Sequence, residues 1–173
     1  MKKIILFCVT VLVFSDMYAQ KMPSVVSSVD LSKYQGTWYE IARLPNFFEK
    51  KLKCITAKYT LREDGKITVL NGGNYITPPH KPSSSEGVAW MPDKNSPGKL
   101  KVQFFWPFSG DYWIMYLDKD YRYVLIGDPA LKYLWILCRE KQLEESIYKM
   151  LLQKAIDNGY DVTSIIRVEH DCI

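Results

Sequence analysis

Short runs in which apolar and polar residues alternate follow one another along most of the chain. Residues 99–104 read Lys-Leu-Lys-Val-Gln-Phe, and residues 56–61 alternate in the same way. A period of two is typical of a half-buried β-strand, because successive side chains point to opposite faces of a sheet. Such runs occupy residues 38–44, 54–61, 67–71, 86–90, 100–104, 112–117, 121–126 and 133–139. With no helical period between them, they predict an all-β antiparallel sandwich or barrel of eight strands.

The pattern changes after the eighth run. Apolar residues then recur at helical spacing, at Leu143, Ile147, Met150, Leu151 and Ala155. This spacing predicts one amphipathic helix that packs against the outside of the sheet. Residues 165–168 predict a short final strand, and the glycines and prolines of residues 72–85 predict a long loop.

Charge and composition exclude some classes of partner. The 173-residue chain has a formal net charge of +4, and its basic residues are dispersed. Without a basic stripe, nucleic acid is not an expected partner. Aromatic residues make up 14% of the chain, and many lie in the alternating runs. This combination favours an apolar, aromatic interior over a charged site.

The N-terminus has the pattern of an export signal. Lys2 and Lys3 precede an apolar run over residues 4–14, which is too short to span a membrane. We expect a signal peptide over residues 1–19, cleaved after Ala19, and a lead-in segment over residues 20–32. Cleavage would remove two lysines and one aspartate and leave a net charge of +3. Cys8 lies inside the apolar run, behind Phe7, which does not suit a lipid-attachment site.

Four blocks of sequence and one cysteine carry a family resemblance. The segment 34–43 contains Gly36-Thr37-Trp38 at the start of the first strand. Together with residues 110–126 and 133–139 it resembles the bacterial outer-membrane lipocalins, while residues 49–71 and Cys172 resemble apolipoprotein D. The resemblance covers residues 30 to 170. It implies an eight-stranded antiparallel up-and-down lipocalin β-barrel over residues 33–173, with one C-terminal α-helix packed outside and a short final strand.

The resemblance also implies structural roles for two pairs of residues. Trp38 and Arg139 would close the bottom of the barrel by a cation–π contact. Cys54 and Cys172 would form a disulfide that closes a loop of 118 residues. An odd number of cysteines in the mature chain suggests one disulfide and one free thiol, and we expect Cys138 to be a buried free thiol.

The resemblance implies that the protein carries a small hydrophobic ligand in its barrel. Parity along the strands and the resemblance together predict the inward-facing, ligand-binding side chains Ala57, Tyr59, Ile67, Val69, Asn71, Ala89, Leu100, Val102, Phe104, Tyr112, Ile114, Tyr116, Tyr133, Trp135 and Leu137. Such an interior suits an acyl chain, and the tyrosine hydroxyls would be available to a polar head group. Fatty acids or lysophospholipids are the expected ligands, with a role in storing or transporting lipid of the cell envelope.

An aromatic segment follows the fifth strand. Pro107 should end that strand and place Trp106 and Phe108 in a loop. If this loop lies at the open rim, the two aromatic side chains would contact a membrane surface or a second subunit. A loop that folds back over the cavity is the alternative. We expect a monomer or a weak homodimer. We also expect export to the periplasm, or association with the outer membrane without an evident lipid anchor; secretion from the cell is the alternative.

Other functions have less support in the sequence. His80 and His170 are the two histidines of the chain and neither has a partner motif, so no catalytic residue is expected. No metal site and no cofactor are expected, because these histidines and the scattered cysteines lack ligand spacing. A filled barrel with a structural or interaction role, and a carrier of a haem-like or pigment-like ligand, are the alternatives.

Overall fold

The computed structural model describes residues 22–172 and consists of an antiparallel barrel with one long helix outside it. The expected signal peptide therefore lies outside the described residues. The elements, in chain order, are α1 (Leu31–Tyr34), β1 (Gly36–Arg43), β2 (Leu52–Leu61), β3 (Ile67–Tyr75), β4 (Pro82–Trp90), β5 (Lys99–Phe105), β6 (Phe108–Leu117), β7 (Tyr123–Gly127), β8 (Leu134–Cys138), α2 (Glu145–Asp157) and β9 (Ile166–Arg167). None of the helices described here is long and apolar enough to cross a membrane.

The eight strands β1 to β8 form a closed, up-and-down barrel. Each strand pairs antiparallel with the next, and β1 pairs with both β2 and β8, which closes the sheet on itself. The short strand β9 adds to β1, with Ala42 opposite Arg167. The expected barrel, external helix and final strand are confirmed. Closure leaves the chain with few free sheet edges.

Two apolar cores lie on opposite sides of the barrel wall. The inner core lies inside the barrel and includes Trp38, Ile67, Leu100 and Ile114. The outer core lies between the wall and α2, where Leu151 and Ala155 are fully buried. The alternation seen in the sequence is therefore the alternation between these two cores, or between the inner core and solvent.

The connections between strands divide into two ends. The chain runs up β1 and down β2, so the β1–β2, β3–β4, β5–β6 and β7–β8 connections share one end, and the other connections share the opposite end. Helix α1 packs across that second end, which we name the closed end. The first is the open end, and its connecting loops are residues 44–51, 76–81, 106–107 and 128–133.

The expected long loop over residues 72–85 was wrong. Strand β3 continues to Tyr75 and β4 begins at Pro82, with Asn74 opposite Pro82, so the connection is residues 76–81. The glycines that suggested a loop sit within the ladder, where Gly72 lies opposite Thr56 of β2. Pro82 starts its strand, a position that needs no backbone donor.

The lead-in segment is ordered against the barrel from Met22 onward. The Val26 N–H donates to the Ile114 carbonyl oxygen at 2.9 Å, and Val26, Val29 and Leu31 pack against the inner core. Asp30 caps α1, since its side chain accepts a hydrogen bond from the Ser32 N–H. This short helix was not predicted from the sequence, and it delivers Tyr34 to the inner core.

Candidate functional site

Trp38 and Arg139 seal the closed end of the barrel. The Arg139 guanidinium carbon lies 3.9 Å from the centre of the Trp38 ring, and Trp38 is fully buried. Gly36 makes this approach possible: its φ is +93°, and a Cβ there would lie 3.3 Å from Nη1 of Arg139. The glycine and tryptophan of the sequence motif therefore act together at one structural feature.

Three tyrosine hydroxyls meet above this floor. The Tyr112 hydroxyl is hydrogen-bonded to those of Tyr34 and Tyr59, at 2.8 Å in each case. Burial raises the pKa of all three phenols well above the ordinary value, so they stay neutral. Their hydrogen bonds are made mainly to one another, which reduces what they can offer to a ligand.

Most of the predicted lining residues pack tightly in the lower part of the barrel. Each is less than a tenth exposed and belongs to the inner core: Ala57, Tyr59, Ile67, Val69, Ala89, Leu100, Ile114 and Leu137. Because these side chains have so little accessible surface, no space large enough for a water molecule lies beside them. These residues form the base of the cup, and a ligand would rest on them at most.

The remaining accessible surface of the interior lies nearer the open end. Asn71, Val102, Phe104 and Trp135 are half-buried, and all but Asn71 pack against the inner core. Tyr112 is also half-buried, but it lies opposite Leu100, and its hydroxyl belongs to the tyrosine cluster at the base. Asn71 lies opposite the inward-facing Ala57. Tyr133, also half-buried, stacks on Trp135 with ring centres 5.8 Å apart. The candidate ligand site is therefore the open half of the barrel.

The expected inward position of Tyr116 was wrong. A β-bulge in β6, between Ile114 and Tyr116, shifts the register against β7. As a result Met115 and Tyr116 both face the outer core. The Tyr116 ring lies beneath α2, with Nζ of Lys154 4.6 Å from its centre. A bulge reverses the parity of every later residue in a strand, and the alternation in the sequence does not reveal it.

A buried ionic cluster inside the barrel was missed by the sequence analysis. Glu40 and Arg43 of β1 are only 2% and 3% exposed. Nη1 of Arg43 donates to Oε1 of Glu40 at 2.9 Å, and Nη2 donates to the Glu49 carbonyl oxygen at 3.0 Å. Nε of Arg43 lies 3.9 Å from Oε2 of Glu49. We call Glu40, Arg43 and Glu49 the ionic cluster.

The ionic cluster faces the same space as the lining residues. Arg43 lies opposite Trp135, and Nε1 of Trp135 donates to Oε2 of Glu49 at 3.1 Å. Asn46 links the loop to the cluster, since its side chain accepts from the Glu49 N–H at 2.8 Å. One signal could have revealed Glu40: it has the same strand parity as Trp38, the residue expected to lie inside the barrel.

The pKa of the Glu40 carboxyl is raised well above its ordinary value. The main cause is burial, followed by the negative charge of Glu49, and the pair with Arg43 offsets only part of this. A buried acid of this kind tends to hold its proton. The interior therefore combines two carboxyl groups with one guanidinium.

Apolar side chains gather at the open end. Trp106 and Phe108 are 86% and 78% exposed. The placement of Phe108 in a loop was wrong, because it begins β6 and pairs with Phe105 across a turn of only two residues. Other exposed apolar residues lie in or next to the open-end loops, and together with these two we call them the rim: Phe47, Phe48, Tyr75, Ile76, Phe105, Trp106 and Phe108.

The cysteines are placed as the sequence suggested. Cys54 and Cys172 form a disulfide, which confirms the expected pairing and ties β2 to the C-terminal segment. Cys138 is a buried free thiol on the outer-core side of β8. Asp171 lies close to Cys54 and Cys172, but both sulfurs are already in the disulfide, and the carboxylate is 2.8 Å from Nζ of Lys53.

Comparison with known proteins places this geometry in one family. A family model described as a lipocalin-like domain matches residues 29–170. Temperature-induced lipocalin-1 of Arabidopsis thaliana is 42% identical and covers 86% of this chain and 83% of its own length. Outer membrane lipoprotein Blc of Escherichia coli is 40% identical, with coverage of 84% and 82%. Apolipoprotein D of Macaca fascicularis is 36% identical, with coverage of 81% and 76%.

A solved structure supports the fold alone. Insecticyanin from the tobacco hornworm superimposes with a TM-score of 0.67 over 86% of this chain and 84% of its own, at 24% identity. Two of the relatives, Blc and apolipoprotein D, match the two groups that the sequence blocks resembled. The chain therefore belongs to the lipocalin family, a family of binders of small hydrophobic ligands.

Proposed function

We propose that this protein carries a single-chain lipid, a fatty acid or a lysophospholipid, in the open half of its barrel and exchanges it with a lipid surface. It acts as a carrier and not as an enzyme. The observation that carries the proposal is the position of the rim, whose exposed aromatic and apolar side chains lie at the open end of the barrel, above the half-buried side chains of its interior. Large exposed apolar patches mark contact surfaces.

The shape of the site favours a slender ligand. Tightly packed side chains fill the lower barrel. The space available to a ligand therefore lies between the tyrosine hydroxyls and the rim. Phe104 and Trp135 border this space and would contact an acyl chain along its length. Burial of the chain would contribute about 25 cal/mol for each Å² of apolar surface removed from water.

The cellular role proposed is maintenance of envelope lipids by an exported protein in the periplasm or at the outer membrane. The support is the N-terminal pattern of residues 1–19 and a relative named as an outer membrane lipoprotein. The rim suits a protein that works beside a lipid surface. We further propose that it acts as a monomer, because a rim covered by a second copy could not reach the membrane.

Lipid analysis of the purified mature protein tests the carrier function. Native mass spectrometry should show one acyl lipid per chain, lost after organic extraction and regained when oleate or oleoyl lysophospholipid is added. A bare mass without uptake of either lipid would contradict the proposal. It would favour the filled barrel, for which the tight packing of the lower half already gives some support.

A double substitution at the rim tests the lipid-surface contact. Trp106→Ala with Phe108→Ser should weaken binding to vesicles of phosphatidylethanolamine and phosphatidylglycerol in a flotation assay. The matched control is Leu70→Ala with Ile156→Ser, because these exposed apolar residues lie away from the open end. Equal binding by both variants would contradict a contact through the rim, and loss of a dimer in the rim variant would assign the rim to self-association.

A further inference from the structure

The positive charge of Arg43 inside the barrel is already paired with other groups of the protein. Both terminal nitrogens of Arg43 donate to groups of the ionic cluster, at 2.9 and 3.0 Å. Its Nε is the one buried side-chain nitrogen or oxygen without a hydrogen bond among residues 22–172, and it lies 3.9 Å from the Glu49 carboxylate. An anion placed at this nitrogen would therefore lie beside Glu49 and Glu40 as well.

Two carboxyl groups against one guanidinium leave no excess positive charge in the interior. Burial and the neighbouring Glu49 raise the pKa of Glu40, so the cluster is neutral when Glu40 is protonated and negative when it is not. The tyrosine hydroxyls are hydrogen-bonded to one another. A charged head group that entered this space would lose its water without gaining a free cation, which is costly.

The open end offers the opposite environment. Its loops carry four exposed lysines: Lys50, Lys51, Lys81 and Lys132. The two acidic residues of these loops, Glu49 and Asp128, are buried. The Asp128 carboxylate accepts hydrogen bonds from the N–H groups of Lys132 and Tyr133. Within the described open-end loops, no exposed carboxylate accompanies the lysines, and the nearby exposed Asp171 of the C-terminal segment is paired with Lys53 of β2 at 2.8 Å.

The closed end carries exposed charges of both signs. Its loops carry the exposed acids Glu63, Asp64, Asp93 and Asp120 among their lysines and arginines. The molecule is thus polarised, with cationic and aromatic groups together at the mouth of the barrel. Unpaired surface lysines attract anions from solution, and salt weakens that attraction.

We infer that a bound lipid enters chain first and leaves its anionic head group outside, on the lysines of the open end. This inference rests on the proposed carrier function and adds the ligand class, a single-chain amphiphile with a carboxylate or phosphate head. The ionic cluster then acts as a selectivity element that keeps charged head groups out of the barrel. The lysines, and not Arg43, provide the preference for anionic over neutral lipids.

The test compares two lipids with the same acyl chain. Oleoyl lysophosphatidylglycerol is anionic, and monooleoylglycerol is neutral. The wild-type protein should prefer the anionic lipid by about tenfold, a value typical of several exposed ion pairs together. Replacement of Lys50, Lys51, Lys81 and Lys132 by Gln should remove this preference and leave monooleoylglycerol binding unchanged. Titration calorimetry at low and high salt measures both affinities.

A control variant with the same change in net charge tests whether the effect depends on the position of the lysines. Replacement of Lys66, Lys94, Lys119 and Lys149 by Gln removes four exposed lysines that lie outside the open-end loops, and it should keep the preference. If the open-end variant retains the full preference for the anionic lipid, the inference is overturned while the carrier function stands. If the wild type binds neither lipid, the proposed carrier function itself fails.

Discussion

The central carbon of the Arg139 guanidinium lies over the Trp38 ring, 3.9 Å from its centre. Its nitrogens also donate to backbone carbonyl oxygens around the closed end: Nε to Tyr121 at 3.2 Å, Nη1 to Thr37 at 3.0 Å, and Nη2 to Lys33 at 2.9 Å. One side chain thus joins α1, β1 and the β6–β7 loop. The planar fork of arginine makes this possible, and lysine has no equivalent.

Arg139→Lys should therefore destabilise the protein although the charge is kept. Loss of two or more of these hydrogen bonds should lower the free energy of unfolding by about 2–3 kcal/mol. Urea denaturation followed by tryptophan fluorescence measures the change. Arg62→Lys is the control, because Arg62 is exposed and pairs only with Asp64 at the surface, and it should change stability by less than about 0.5 kcal/mol. Equal effects of the two substitutions would mean that the fork is dispensable.

The sequence predicted the strand order, the outer helix and the disulfide because each depends on local pattern or on resemblance. Alternation in a strand such as residues 99–105 requires one buried face, and the barrel provides it. Details that depend on register were not predictable. The bulge before Tyr116 and the pairing of Asn74 with Pro82 are set by neighbouring strands, not by the residues themselves.

The ionic cluster shows a different limit of sequence analysis. Glutamate and arginine are normally placed at the surface, and apart from the strand parity that Glu40 shares with Trp38, nothing local marks Glu40 or Arg43 as buried. Their burial becomes acceptable because Arg43 meets two acidic partners, one of them from the loop that contains Glu49. Such mutual compensation is a tertiary property. The candidate site in the open half of the barrel was therefore predicted without its ionic cluster.

The Cys54–Cys172 disulfide should contribute strongly to stability. It closes a loop with a sequence separation of 118 residues, and the chain-entropy argument gives about 4–5 kcal/mol for a loop of this length. Cys172→Ser with Cys54→Ser should lower the urea midpoint accordingly, without a change in the barrel fold seen by circular dichroism. Cys138→Ser is the comparison variant, because it removes a cysteine sulfur and leaves the disulfide in place. A midpoint within error of the wild type would show that the C-terminal segment is held by its other contacts.

Gly87 sets how closely the wall approaches Phe104 in the candidate site. A Cβ at Gly87 would lie 2.6 Å from the Gln103 carbonyl oxygen and 2.8 Å from Cδ1 of Phe104. Because the nearest atom belongs to the backbone of β5, relief requires a shift of the strand. Gly87→Ala should cost about 1–3 kcal/mol of stability, as overpacking in cores does, and should weaken lipid binding. Gly110→Ala, with nothing within 4 Å of its Cβ, should have little effect on either measurement.

The raised pKa of Glu40 makes stability depend on pH in a definite direction. Between the ordinary value of 4.5 and the higher native value, the folded protein holds a proton that the unfolded chain has lost. The contribution of Glu40 therefore favours folding less as pH rises through this window. Glu40→Gln imitates the protonated acid, since its amide oxygen can still accept from Nη1 of Arg43. Relative to wild type, this variant should become more stable as pH increases.

Urea midpoints of wild type and Glu40→Gln at several pH values above 4.5 measure this difference directly. Comparison of the two proteins cancels the titration of groups that they share. Glu40→Ala is the contrasting variant: it leaves the buried Arg43 with one partner fewer and should cost about 3–5 kcal/mol, as broken buried ion pairs do. A stability difference between wild type and Glu40→Gln that stays constant with pH would mean that Glu40 ionises normally inside the barrel. The interior would then carry a full negative charge, and exclusion of anionic head groups would be stronger still.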